Sequence, residues 1–256
     1  LQRLKGKVAI VTGASRGIGR SIARAYAKEG ANLIVTARTS SDLDILVNET
    51  KKDFGVKAIA VAGNVTREED VRRTVSTALK QFGRIDILVN NAGVAGPVKK
   101  LEEISEAEWD EVMEVNVKGY FLFAKEVIPS MLSQRSGNII NISSGAGEKQ
   151  QRSKPVRSIP YSVSKFAVEG FNHVLATYLV GNGVNVNAIK PGPIKTALHS
   201  TTPPEILQEM ERRIGFQEAE SVNPLAVYLA GLAPGEVTGA SIGVTEWNKD
   251  HSDLVK

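Results

Sequence analysis

Tyr161 and Lys165, in Tyr161-Ser162-Val163-Ser164-Lys165, stand four residues apart, and on a helix that spacing puts both side chains on one face. A phenol beside an ammonium can serve as an acid-base catalyst, because the positive charge stabilises the phenolate. Lowering a tyrosine pKa from about 10 to about 7 takes roughly 4 kcal/mol of differential interaction, within reach of one close, partly desolvated charge. A packing tyrosine followed by a solvated lysine would give the same spacing. The pair therefore takes its meaning from residues elsewhere.

A second constellation is Thr12-Gly13-Ala14-Ser15-Arg16-Gly17-Ile18-Gly19, which follows an apolar run at residues 7–12 and opens a helical pattern over residues 18–29. Strand, glycine-rich turn and helix in that order are the context of a dinucleotide-binding turn. Gly13 permits a sharp exit, Gly17 lets backbone N–H groups near a pyrophosphate, and Gly19 permits close packing of helix on strand. The residues between them, Ser15, Arg16 and Ile18, are expected to line the same cradle. The spacing is GxxxGxG, one residue longer than GxGxxG. A fold that prefers NAD places an acid about twenty residues on, at the end of its second strand. Here Ala37 and Arg38 stand there. A guanidinium attracts a ribose 2′-phosphate, and Arg16 can add a second charge, so NADP(H) is expected over NAD(H).

The elements that must position these residues repeat one alternation. Apolar runs at residues 7–12, 32–37, 58–62, 85–90, 138–142, 184–189 and 241–245 are separated by helical stretches, among them 106–131 and 161–180. Most of the runs are continuously apolar, as parallel strands covered on both faces require. A seven-stranded, doubly wound parallel α/β sheet of the Rossmann type follows, with residues 1–256 forming a single NAD(P)-binding domain. The least regular stretches, 145–160 and 191–214, lie just after strand ends. At that edge of an open parallel sheet ligands bind.

With 256 residues, 42% apolar and 23% charged, the chain can bury one large core. It has no cysteine and three scattered histidines, His173, His199 and His251, so no metal site is expected. The net charge is +4, but basic and acidic residues are interleaved, which argues against nucleic acid. No apolar run approaches a membrane span, and a soluble, cytoplasmic protein is expected.

Jointly these residues resemble the short-chain dehydrogenase/reductase family in its compact form, from Lys7 to about Thr245. The matching segments are the turn Gly13 to Gly19, Asn90-Asn91-Ala92-Gly93, Asn116 in Glu114-Val115-Asn116-Val117, Ser144 after Asn141-Ile142-Ser143, the Tyr161/Lys165 pair, and Pro191-Gly192-Pro193-Ile194-Lys195-Thr196. Asn64, followed by Val65, stands where many members carry an aspartate near the adenine amine. An asparagine can also accept from that amine. The chain departs from the family near its end, with Val244-Thr245-Glu246-Trp247 in place of Asp-Gly-Gly.

The resemblance implies an NADP(H)-dependent oxidoreductase acting on carbonyls or secondary alcohols. Tyr161 would be the proton donor, Lys165 would lower its pKa and hold the nicotinamide ribose, Ser144 would donate to the substrate oxygen, and Asn116 would extend a proton relay through a water. Gly13, Ser15, Arg16, Gly17, Ile18, Gly19, Arg38, Asn64, Val65, Asn91, Ala92, Gly93, Pro191, Gly192, Ile194 and Thr196 would line the cofactor cleft. Residues 193–215 would form the substrate loop. The substrate expected is a 3-oxoacyl thioester or another ketone, with a sugar or polyol as the alternative, and the basic stretch 148–157 could attract an anionic one. A non-catalytic NADPH sensor and an isomerase or dehydratase are the rival functions on this fold. Helices 106–131 and 161–180 carry apolar residues over more than one face, Trp109, Met113, Phe121, Phe123, Val127, Phe166, Phe171 and Leu175 among them. A second buried face of that kind points to a homotetramer or homodimer.

Overall fold

Seven short runs of aliphatic and β-branched residues become seven parallel strands in the computed structural model, which describes residues 2–148, 158–194 and 215–253 with Glu205, Leu207, Gln208, Glu211 and Arg212. The strands are β1 Val8–Thr12, β2 Asn32–Ala37, β3 Ala58–Ala62, β4 Ile87–Asn90, β5 Gly137–Ile142, β6 Val184–Lys190 and β7 Ser241–Gly243. Their order in the sheet is β3-β2-β1-β4-β5-β6-β7, and every neighbouring pair is parallel. The order reverses between β1 and β4. In open parallel sheets ligands bind beyond the strand ends at such a reversal.

Both faces of the sheet are covered, which is why β1, β4 and β5 are buried along their whole length. On one face lie α1 (Gly17–Lys28), α2 (Ser40–Phe54), α7 (Asn223–Gly231) and α8 (Val244–Asp250), packed through Ile22, Tyr26, Leu43, Leu46, Leu225 and Trp247. On the other lie α3 (Glu68–Phe82), α5 (Gly119–Gln134) and α6 (Ile159–Tyr178), packed through Val71, Val75, Phe123, Val127 and Leu175. The doubly wound single domain expected from the alternation is the fold observed.

Three expectations need correction. The helix expected over 106–131 is two helices, α4 (Glu106–Met113) and α5, joined by a π turn at Glu114–Lys118. Such turns cluster at functional sites, and this one holds Asn116. The seventh strand stops at Gly243, because Val244 and Trp247, three apart and both buried, turn the chain into α8 against α7. Of the apolar residues assigned to a second helical face, Phe123, Val127 and Leu175 belong to the core, whereas Phe121 and Phe166 are 48% and 46% exposed. The basic stretch after Glu148, Thr196, His199 and most of the loop expected over 193–215 lie outside the described residues.

Candidate active site

The glycine turn and the segment after β4 are built as one unit. Gly13 and Gly17 take positive φ values of 63° and 55°, backbone that favours glycine. A Cβ on Gly19 would stand 2.4 Å from Asn91 Nδ2 and 2.5 Å from the Gly13 carbonyl oxygen, so only glycine lets α1 approach β1 this closely. Asn91 donates to the carbonyls of Thr12 (2.8 Å) and Gly13 (3.2 Å), while Thr12 Oγ1 accepts from the Asn91 and Ala92 N–H groups. Sequence reasoning passed over Thr12, whose hydroxyl joins the ends of β1 and β4 by also donating to the Val89 carbonyl.

The first turn of α1 carries no acid and no side-chain cap on its N–H groups. Those groups and the helix dipole suit an anion. Arg16 and Arg38, both exposed, have no ion pair among the described residues. The chemistry of this donor set fits a dinucleotide phosphate. Ser15 and Ile18 are half-buried in the same turn. Asn64 Oδ1 accepts from the Thr66 N–H at 3.1 Å, which leaves one of its lone pairs for another donor. Val65 packs against Gly119, where a Cβ would lie 2.9 Å from Val65 Cγ2.

Asn116 ties this unit to the Tyr161 helix. Its Oδ1 accepts from the Val94 N–H at 2.8 Å, and its Nδ2 donates to the Val94 carbonyl at 3.0 Å and to Ser164 Oγ at 2.9 Å. Ser164 Oγ in turn donates to the Tyr161 carbonyl at 2.7 Å. Gly93 sits under this amide, where a Cβ would lie 3.3 Å from Asn116 Oδ1. The buried side chain of Asn116 thus finds its partners within the protein. The partner sought for it, a relay water, is not needed to satisfy that amide. Ser164 was not singled out from sequence, although its place one residue before Lys165 put it on this helix.

α6 begins sharply because Ser158 caps it, accepting from the Tyr161 N–H, with Pro160 in its first turn. Lys165 is only 3% exposed and donates from Nζ to the Ile142 carbonyl at 2.8 Å. The same nitrogen lies 5.6 Å from the centre of the Tyr161 ring and 5.5 Å from that of Tyr120. Burial pushes the Lys165 ammonium down from 10.5 to about 8, and the Glu169 carboxylate one turn on pulls it partly back. Tyr120 is buried and gives its hydroxyl to the Ile142 carbonyl at 3.0 Å, and burial drives its pKa far upward. Tyr161, half-buried, is the phenol of the two that can meet a ligand.

Ser144 lies two residues beyond Ile142, at the end of β5. Its Oγ accepts from the Ala146 N–H at 3.1 Å, and its hydroxyl proton has no partner among the described residues. Pro191 and Gly192 continue from β6. Ile194 is buried and bridges to Gln217, whose N–H donates to the Pro193 carbonyl at 2.8 Å. All the described candidates thus sit at or just beyond the carboxyl ends of β1, β2, β3, β4, β5 and β6 or on the helices packed there. Among the described residues no three His, Cys, Asp or Glu side chains are grouped to hold a metal ion, and no helix is long and apolar enough to cross a membrane.

Comparison with known proteins places the chain in a family. The family model for short chain dehydrogenases matches residues 7–206. Glucose 1-dehydrogenase 2 of Bacillus subtilis is 37% identical over 246 residues, 94% of each chain. The 3-oxoacyl acyl-carrier-protein reductase FabG of Thermotoga maritima is 35% identical over 245 residues, 94% of this chain and 97% of that one. The structure of a short-chain type dehydrogenase/reductase from Mycobacterium marinum superposes with a TM-score of 0.84 at 32% identity, covering 95% of both chains. A strand-order reversal between β1 and β4, a glycine turn braced by Asn91 and a buried lysine beside a tyrosine thus come with matching relatives over nearly the whole length, and the chain belongs to the short-chain dehydrogenase/reductase family, oxidoreductases acting on CH–OH and C=O groups.

Proposed function

We propose that the protein is an NADP(H)-dependent carbonyl reductase or alcohol dehydrogenase in which Tyr161 is the general acid and base. The observation that carries this reading is the Lys165 ammonium, buried and held 5.6 Å from the Tyr161 ring centre. The bound nicotinamide supplies or takes the hydride. In the reducing direction the carbonyl oxygen gains charge, and Tyr161 delivers its phenolic proton to that oxygen. The phenolate left behind is stabilised by Lys165. The hydroxyl proton of Ser144, without an acceptor among the described residues, donates to the substrate oxygen, an interaction that strengthens as charge develops there. Asn116 acts on position: it holds α6 to the segment after β4 through Ser164. The sensor reading loses ground here, since a sensor has no use for a proton donor.

Arg16 and Arg38 support NADP(H) over NAD(H). Two exposed guanidinium groups with no acidic partner among the described residues suit a ribose 2′-phosphate. The relatives support two substrate classes, and the 3-oxoacyl thioester is the first choice. The glucose 1-dehydrogenase at 37% identity keeps a sugar or polyol as the second. The exposed Phe121 and Phe166, with Val174, Tyr178 and Val180, support a homodimer or homotetramer. A cytoplasmic location accords with the composition.

The test is loss of NADPH absorbance against a 3-oxoacyl thioester, simple ketones and diketones, with glucose and NADP+ assayed in reverse. Turnover on the thioester with NADPH, slower with NADH, is expected. Reaction with glucose alone would move the substrate to the second class. NADPH binding with no turnover on any member would remove the reductase reading.

A further inference from the structure

The Ile142 carbonyl is a shared acceptor: Lys165 Nζ donates to it at 2.8 Å and the Tyr120 hydroxyl at 3.0 Å. The two donors are also in ring contact, since Lys165 Nζ lies 5.5 Å from the Tyr120 ring centre, nearly the same distance as from the Tyr161 ring. An ammonium within about 6 Å of a ring centre is attracted to its face, more strongly where water is excluded. Tyr120 is 1% exposed and Lys165 3%, so water screens neither. Tyr120 projects from the second position of α5, directly after the π turn that carries Asn116. That break in the helix sets the angle at which α5 leaves, and with it where the Tyr120 side chain points.

We propose that Tyr120 is a positioning residue for the proposed acid-base pair, holding the Lys165 ammonium beside Tyr161 through its ring face while its hydroxyl limits the ammonium's hold on the Ile142 carbonyl they share. This rests on the reading of Lys165 as Tyr161's partner. Tyr120 itself stays a neutral phenol, because its hydroxyl is buried and committed to a backbone oxygen. The ring and the hydroxyl act in opposite senses. The ring stabilises the ammonium, whereas the hydroxyl competes for the carbonyl that the ammonium also needs. The other groups facing Lys165 are Tyr161 and Glu169 on its own helix. Of the charged side chains on elements packed against α6, Glu148 is paired with Lys190, Glu114 with Lys118 and Glu108 with Lys99, and Glu106, Asp110 and Glu111 are exposed.

The experiment titrates Lys165 directly, by NMR of the protein labelled with 15N at lysine Nζ, assigned with Lys165→Met. Tyr120→Phe keeps the ring and removes the competing hydroxyl, so the Lys165 midpoint rises by a few tenths of a pH unit, about. Tyr120→Leu removes the ring and lowers the midpoint by about half a unit to one unit. The high-pH limb of kcat/KM for carbonyl reduction moves with each midpoint. Midpoints and limbs unchanged in both variants would reduce Tyr120 to a packing residue and overturn the proposal. Should Tyr120→Leu fail to fold, the direction of the Tyr120→Phe shift decides. The NMR midpoints are independent of turnover, so persistence of activity in Tyr161→Phe would sink the catalytic reading while leaving these shifts to judge Tyr120.

Discussion

Lys165 is held at a cost in stability, and the proposed acid-base role accounts for it. Its side chain could pack as well with a neutral, apolar residue, yet an ammonium is buried there with its pKa lowered to about 8. The folded value lies below the ordinary 10.5, so the penalty is fully present below about pH 8 and is relieved as pH rises from there towards 10.5. At neutral pH the shift corresponds to roughly 3 kcal/mol. Lys165→Met is therefore expected to melt at or above the wild-type temperature at pH 7, with the difference shrinking above pH 10, while reduction is lost. Calorimetry at the two pH values checks this, and a variant clearly less stable than wild type at pH 7 would contradict it. The Tyr161/Lys165 pair was legible in the sequence because a spacing of four reports a shared helical face. Tyr120 was not, because its partner is a backbone carbonyl 22 residues away, which no side-chain pattern records.

At the scale of elements, buried amides join strands to helix. Asn90 on β4 donates to Asn141 on β5 at 3.0 Å, Asn141 donates to Asn172 on α6 at 3.1 Å, and Asn172 donates to the Ala240 carbonyl at 3.2 Å. Asn90 and Asn141 face each other in the ladder, so a slip in register would leave amides unpaired in a dry core. Asn141→Val is expected to lower stability by about 2–4 kcal/mol, since it strands a donor of Asn90 and an acceptor of Asn172. Urea unfolding measures it, and a change below about 0.5 kcal/mol would show the chain of amides to be dispensable. The continuous apolar runs made the seven strands readable, whereas the π turn and the short β7 were not. Both depend on tertiary packing, Gly119 on Val65 in one case and Trp247 beside Tyr228 in the other.

For the whole molecule, the doubly wound parallel sheet and its ligand-binding edge were legible from the alternation of strands and helices, whereas the order of the strands was not, because alternation does not say which neighbours pair. What covers α5 and α6 was not legible either, because burial in the core and burial against a partner leave the same apolar residues in a sequence. Phe121 on α5 and Phe166 and Tyr178 on α6 are exposed, Tyr178 at 70%, and exposed apolar side chains of this kind suit a second subunit. Sedimentation at micromolar concentration is expected to give a dimer or tetramer, and Phe121→Glu with Phe166→Glu a smaller species. A monomeric wild type would contradict this. The same intact molecule allows the most direct test of its proposed chemistry: titrate Tyr161→Phe with NADPH by fluorescence and measure its turnover on the best carbonyl found. Binding near the wild-type affinity with turnover reduced by about a hundredfold or more is the expected result. Wild-type turnover without the phenol would contradict Tyr161 as the proton donor.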